Sequence, residues 1–71
     1  MAKIYFKTPW DDDYPVFESD VIPRKGELIT IENESFFHTP YVTDIGYDYK
    51  YIDGNFTLEL VTVYLGGKDD I

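Results

Sequence analysis

From Lys3 to Thr8 the chain alternates, with Lys3, Tyr5 and Lys7 on one side and Ile4, Phe6 and Thr8 on the other. A period of two predicts a half-buried strand. Pro9 ends it, because proline has no N–H to give to a ladder. Leu28 to Ile31 alternates again and predicts a second strand, with Ile29 and Ile31 on one face. Phe36-Phe37-His38 begins another, and Pro40 forces an edge or a break before Tyr41-Val42. Nowhere do apolar residues recur at helical spacing over three turns.

The clearest local signal is Asp53-Gly54 between two alternating runs, which predicts a two-residue hairpin with a type I′ turn. Folded there, Ile52 meets Asn55, Tyr51 meets Phe56, Tyr49 meets Leu58 and Tyr47 meets Leu60. These rings and leucines share one face and are expected to build the core or its rim. The other face sets Lys50 against Thr57 and Asp48 against Glu59, an unfavourable carboxylate pair. Gly46 falls opposite Val61 and marks a bulge or bend. Phe56 to Leu65 reads as one long strand with Val61 and Val63 on its second face.

Between these runs lie two turns and an irregular stretch. Pro23-Arg24-Lys25-Gly26-Glu27 has turn chemistry, with Gly26 supplying a left-handed position. Glu32-Asn33-Glu34-Ser35 is a second turn. Residues 10–23 carry Asp11-Asp12-Asp13, Glu18 and Asp20 together with Pro15 and Pro23, and no base lies between Lys7 and Arg24. Regular structure across that stretch is disfavoured, leaving Val16-Phe17 and Val21-Ile22 as apolar anchors beneath an acidic loop. The chain divides into one small β domain, 1–65, and a polar tail, 66–71.

Composition agrees with an all-β chain. Strand-favouring Val, Ile, Thr and aromatic residues (7 Tyr, 5 Phe and 1 Trp) far outnumber the one Ala and four Leu. A 71-residue chain supports only a small core. Yet 44% hydrophobic and 18% aromatic residues exclude a wholly disordered tail.

The order of elements resembles an SH3-like small barrel: a strand, a long irregular loop, a Pro-x-x-Gly-Glu turn launching a strand, then a terminal hairpin. Val21-Ile22-Pro23-Arg24-Lys25-Gly26-Glu27-Leu28-Ile29-Thr30-Ile31 is similar to a segment of short uncharacterised proteins of bacteriophages and mobile elements. The resemblance covers about residues 21–65. It implies an SH3-like barrel or a strongly bent, mostly antiparallel sheet, and a small binding or accessory protein. It transfers no functional residue. Tyr47-Asp48-Tyr49 is superficially similar to the aromatic motif of proline-peptide-binding SH3 domains, but the paired tryptophan is missing because Trp10 stands alone.

Chemistry narrows the function by subtraction. Without cysteine there are no disulfides, thiolate metal sites or cysteine nucleophiles. His38, followed by Thr39-Pro40, reads as a strand residue rather than the base of a nucleophile. Asp11-Asp12-Asp13-Tyr14-Pro15 departs from the calcium-loop pattern, with Pro15 at a ligand place and Val16 at the glycine place. The expectation is a non-enzymatic protein with no cofactor and no metal. The N-terminus lacks the apolar run of a signal peptide and no segment reaches membrane-spanning length. Asn33-Glu34-Ser35 and Asn55-Phe56-Thr57 therefore read as chance matches to the glycosylation pattern, and the expected compartment is the cytoplasm.

Fourteen acids against six bases give a net charge of −8 and a pI near 4.2, which repels nucleic acid and anionic membranes. What remains is protein interaction. Trp10, Asp11, Asp12, Asp13, Tyr14, Glu18 and Asp20 are the expected partner-binding set, with rings as anchors and carboxylates steering a basic protein partner. Nucleic-acid mimicry is the sharper form. Five acids over ten extended residues give about one charge per 7 Å, however, against one per ~1.7 Å in duplex DNA. The alternative is a structural homo-oligomer joined through the aromatic hairpin or its edge.

Overall fold

The computed structural model describes residues 2–10, 14–32, 34 and 37–70. The chain is all-β, with six strands among the described residues: β1 (Ala2–Lys7), β2 (Phe17–Ser19), β3 (Ile31–Glu32), β4 (Phe37–His38), β5 (Tyr41–Ile52) and β6 (Asn55–Gly66). A single 3₁₀ turn follows at Lys68–Asp70. Four strands form one sheet in the order β2-β1-β6-β5, while β3 and β4 make a separate pair. No pairing among the described residues closes the larger sheet on itself.

Local chemistry settled the turns. Asp53 and Gly54 both have positive φ, 52° and 80°, as a type I′ turn requires. Gly26 has φ 91°, and the Glu27 N–H donates to the Arg24 carbonyl at 3.1 Å. The Arg24 N–H is held in turn by the Glu27 carboxylate. The strand expected over Leu28 to Ile31 is split. Leu28 bridges Tyr41, and only Ile31–Glu32 forms a ladder, against Phe37–His38. Residues 26–29 instead run beside the start of β5, through Gly26 N–H to Val42 O (2.8 Å), Val42 N–H to Glu27 O (2.9 Å) and Ile29 N–H to Pro40 O (2.8 Å).

The hairpin ladder holds the expected register from Ile52↔Asn55 to Tyr49↔Leu58 and then shifts. Beyond the shift Asp48 faces Leu60, Tyr47 faces Val61, Gly46 faces Thr62 and Ile45 faces Val63. The expected Tyr47–Leu60, Asp48–Glu59 and Gly46–Val61 pairs are therefore corrected by one residue. Glu59 is the extra residue of a bulge, which leaves it unpaired and turns the following side chains to the other face. Val61 and Val63, expected on the second face, thus join the side bearing Tyr49 and Leu58, and Leu60 leaves it. Burying two valines is worth about 3–5 kcal/mol, against about 1 kcal/mol for a lost ladder hydrogen bond. The bulge also removes the Asp48–Glu59 clash. A second shift between Val42 and Asp44 restores the original count.

Among the described residues the fully buried large side chains are Ile4, Val42, Val61 and Val63, joined by Leu65. Val61 sits between Ile4 on β1 and Tyr47 on β5. Phe6, Ile22, Ile29, Ile31, Ile45 and Leu58 pack around this cluster, and Phe17 tilts onto Phe6 at 5.2 Å. Ile22 acts as one of the expected anchors, whereas Val16 and Val21 stay exposed and Phe17, despite its contact with Phe6, is exposed as well. The β1–β6 pairing is parallel, the one such pair in an otherwise antiparallel set among the described residues. A parallel neighbour needs a long crossover, and residues 8–54 supply it.

Candidate functional site

β1 accompanies β6 only along Val61 to Tyr64, and residues 26–29 accompany β5 only near Tyr41 and Val42. The rest of the hairpin, about residues 46–60, has no other strand beside it among the described residues and projects as a two-stranded arm. The molecule accordingly measures 44 × 26 × 21 Å.

The register places Tyr47, Tyr49, Tyr51, Phe56 and Leu58 on the same side of the sheet as Val61, Val63 and Ile4. The arm is thus a continuation of the core face with nothing laid over it. Tyr49, Tyr51 and Phe56 are 59%, 63% and 72% exposed, and Tyr47 is 50% exposed. The expectation that this row builds the core or its rim holds for Leu58, which packs against the core, and is corrected for the rings, because the covering residues Ile22, Ile29 and Ile31 reach only the body. Phe56 joins the rings, lying edge-on to Tyr49 at 6.3 Å and tilted against Tyr51 at 4.7 Å. An apolar ring face left open on a small protein is a candidate interaction surface.

The residues expected to bind a partner are divided by the fold. Trp10 follows β1, where the Thr8 hydroxyl donates to its carbonyl at 3.2 Å. Its ring stacks on His38 at 5.3 Å and 12°. The two border a groove of about 290 Å³ with Pro40, Tyr41, Gly66 and Lys68. Asp11, Asp12 and Asp13 lie outside the described residues. Tyr14 is half-buried. Glu18 pairs with Lys3 near the start of β1, and Asp20 is exposed beyond it. The span from Lys3 to Lys7 alone separates Glu18 from the Trp10 end by about 13 Å of strand. Sequence reasoning missed the groove, whose walls come from three distant segments that share no local pattern.

The opposite face of the sheet is more polar. Lys7 Nζ lies 5.9 Å from the centre of the Tyr64 ring. Tyr64 also approaches Gly46, where an added Cβ would meet its ring at 3.6 Å. Among the described residues no group of three His, Cys, Asp or Glu forms a metal-binding cluster. No helix there is long and apolar enough to cross a membrane. No protein-family model, curated protein or solved structure matches this chain.

Proposed function

We propose that this chain is a non-enzymatic protein-interaction module and that the ring face of its arm is the interface. One observation carries the reading: the core face runs past the edge of the body and stays uncovered from Tyr47 to Phe56. Aromatic side chains buried on association contribute heavily to binding, and these contribute little to the body of the fold while exposed. A photo-reactive phenylalanine analogue at position 56 should cross-link a bound protein, while the same group at position 57, on the reverse face, should not. Equal or absent cross-linking at both positions would remove the reading.

A second surface is the acidic stretch from Trp10 to Asp20, offered to a basic protein partner. Its support is Trp10, 40% exposed and backed by His38, at the edge of a segment rich in carboxylates. Changing Asp11, Asp12 and Asp13 to Asn should weaken such a complex and flatten its salt dependence. Unchanged affinity for the basic partner would exclude this surface. The finer architecture in this reading is an SH3-like small barrel or strongly bent sheet, supported by residues 26–29 extending the sheet beyond β5. The role is that of an accessory protein of a phage or mobile element working in the cytoplasm.

A further inference from the structure

The outer edge of β5 carries a self-complementary pattern. Counting outward from the type I′ turn, whose flanking pair Ile52↔Asn55 exchanges ladder hydrogen bonds, alternate residues point their backbone groups away from β6. These are Tyr51, Tyr49, Tyr47 and Ile45. The Ile45 N–H is already taken by the Asp44 carboxylate at 2.9 Å. The edge therefore offers three consecutive outward residues, Tyr47, Tyr49 and Tyr51, centred on Tyr49, and no described strand pairs with them. A free edge of this kind is a template for another strand.

We propose that the arm pairs with a second copy of this chain, β5 antiparallel to β5, about a two-fold axis through Tyr49. The proposal rests on the arm being the interface and adds the occupant and the register. The axis sets Tyr47 against Tyr51 of the second copy and Asp48 against Lys50 of the second copy, each twice. Within one copy Asp48 faces Leu60 and Lys50 faces Thr57, so neither has an opposite charge across its own ladder. The two-fold supplies one to each. It also brings exposed Ile52 opposite Gly46 of the second copy, the position that has no side chain and lies beside Tyr64. Residues directly opposite in a sheet share a face, so the six tyrosines of the pair form one row on the ring side. An isologous contact of this kind closes as a dimer.

The pairing spans residues 46–52 of each copy, small beside a standard interface of ~1,600 Å², and each copy carries −8. Sedimentation equilibrium therefore runs to about millimolar protein at about 0.15 M salt, where repulsion beyond ~8 Å is screened. The wild-type chain should dimerise. Asp48→Lys alone and Lys50→Glu alone should each weaken the dimer about tenfold, since like charges then face each other twice. An equimolar mixture of the two variants should recover wild-type affinity. There the substituted lysine meets the substituted glutamate, and native Lys50 of one copy meets native Asp48 of the other. Rearrangement within one chain cannot produce that recovery.

As the chain has no cysteine, Tyr49→Cys on the axis should form a disulfide dimer on mild oxidation, and Thr57→Cys should not. A wild-type chain that stays monomeric at about 1 mM, or weakened variants that stay weak when mixed, overturns the proposal. Cross-linking through position 56 to a different protein alongside that result would leave the arm as interface and remove only the second copy as its occupant.

Discussion

Truncating Ile4 to Ala should lower the melting temperature by about 8–40 °C, whereas Phe56→Ala, which deletes a larger side chain, should move it by only a few degrees. Ile4 is fully buried between β6 and the residues packed over it. Such a truncation removes the transfer energy of the lost carbons and leaves a cavity, about 2–5 kcal/mol in all. In a domain of this size each kcal/mol is worth about 4–8 °C. Among the described residues only five are buried in the core, so little remains to compensate. Phe56 is 72% exposed and loses only its contacts with Tyr49 and Tyr51, about 0.2–1 kcal/mol. Thermal melts of the two variants at low protein concentration, where the arm is unpaired, check the contrast. Equal losses would mean the arm is part of the core.

Gly54→Val should unzip the arm while leaving the body folded. Gly54 sits at φ 80°, a conformation costing a side-chain-bearing residue about 1–2 kcal/mol and disfavoured further by branching at Cβ. A lone two-stranded ribbon is marginal in water, so that cost exceeds what the exposed ring contacts return. Amide hydrogen exchange should show protection lost from Lys50, Thr57 and their neighbours and retained at Val42, Val61 and Val63. Protection lost throughout would show that arm and body fold as one unit.

The hairpin was legible in the sequence because its determinants are local: Asp53 and Gly54 accept positive φ, and the alternation on either side sets the first four pairs. The shift at Glu59 was not legible. It serves Val61 and Val63, whose burial depends on Ile4 from the other end of the chain, and alternation alone carries no record of that contact. The tyrosine row could be assigned to a face from its period, but exposure depends on how far Ile22, Ile29 and Ile31 extend over the sheet. The acidic stretch shows the same divide. Its residue types were plain, while the separation of Trp10 from Glu18 follows from β2 folding back along β1 to set Glu18 against Lys3.

The account depends on which side of the sheet the rings occupy once the strand has bulged. Nuclear Overhauser contacts from the Tyr47 ring decide it. The account predicts contacts to the Val61 methyls and, through them, to Ile4. Contacts to the Leu60 methyls in their place would restore an unbroken ladder, turn Val61 and Val63 away from the rings, and contradict both the core and the interface described.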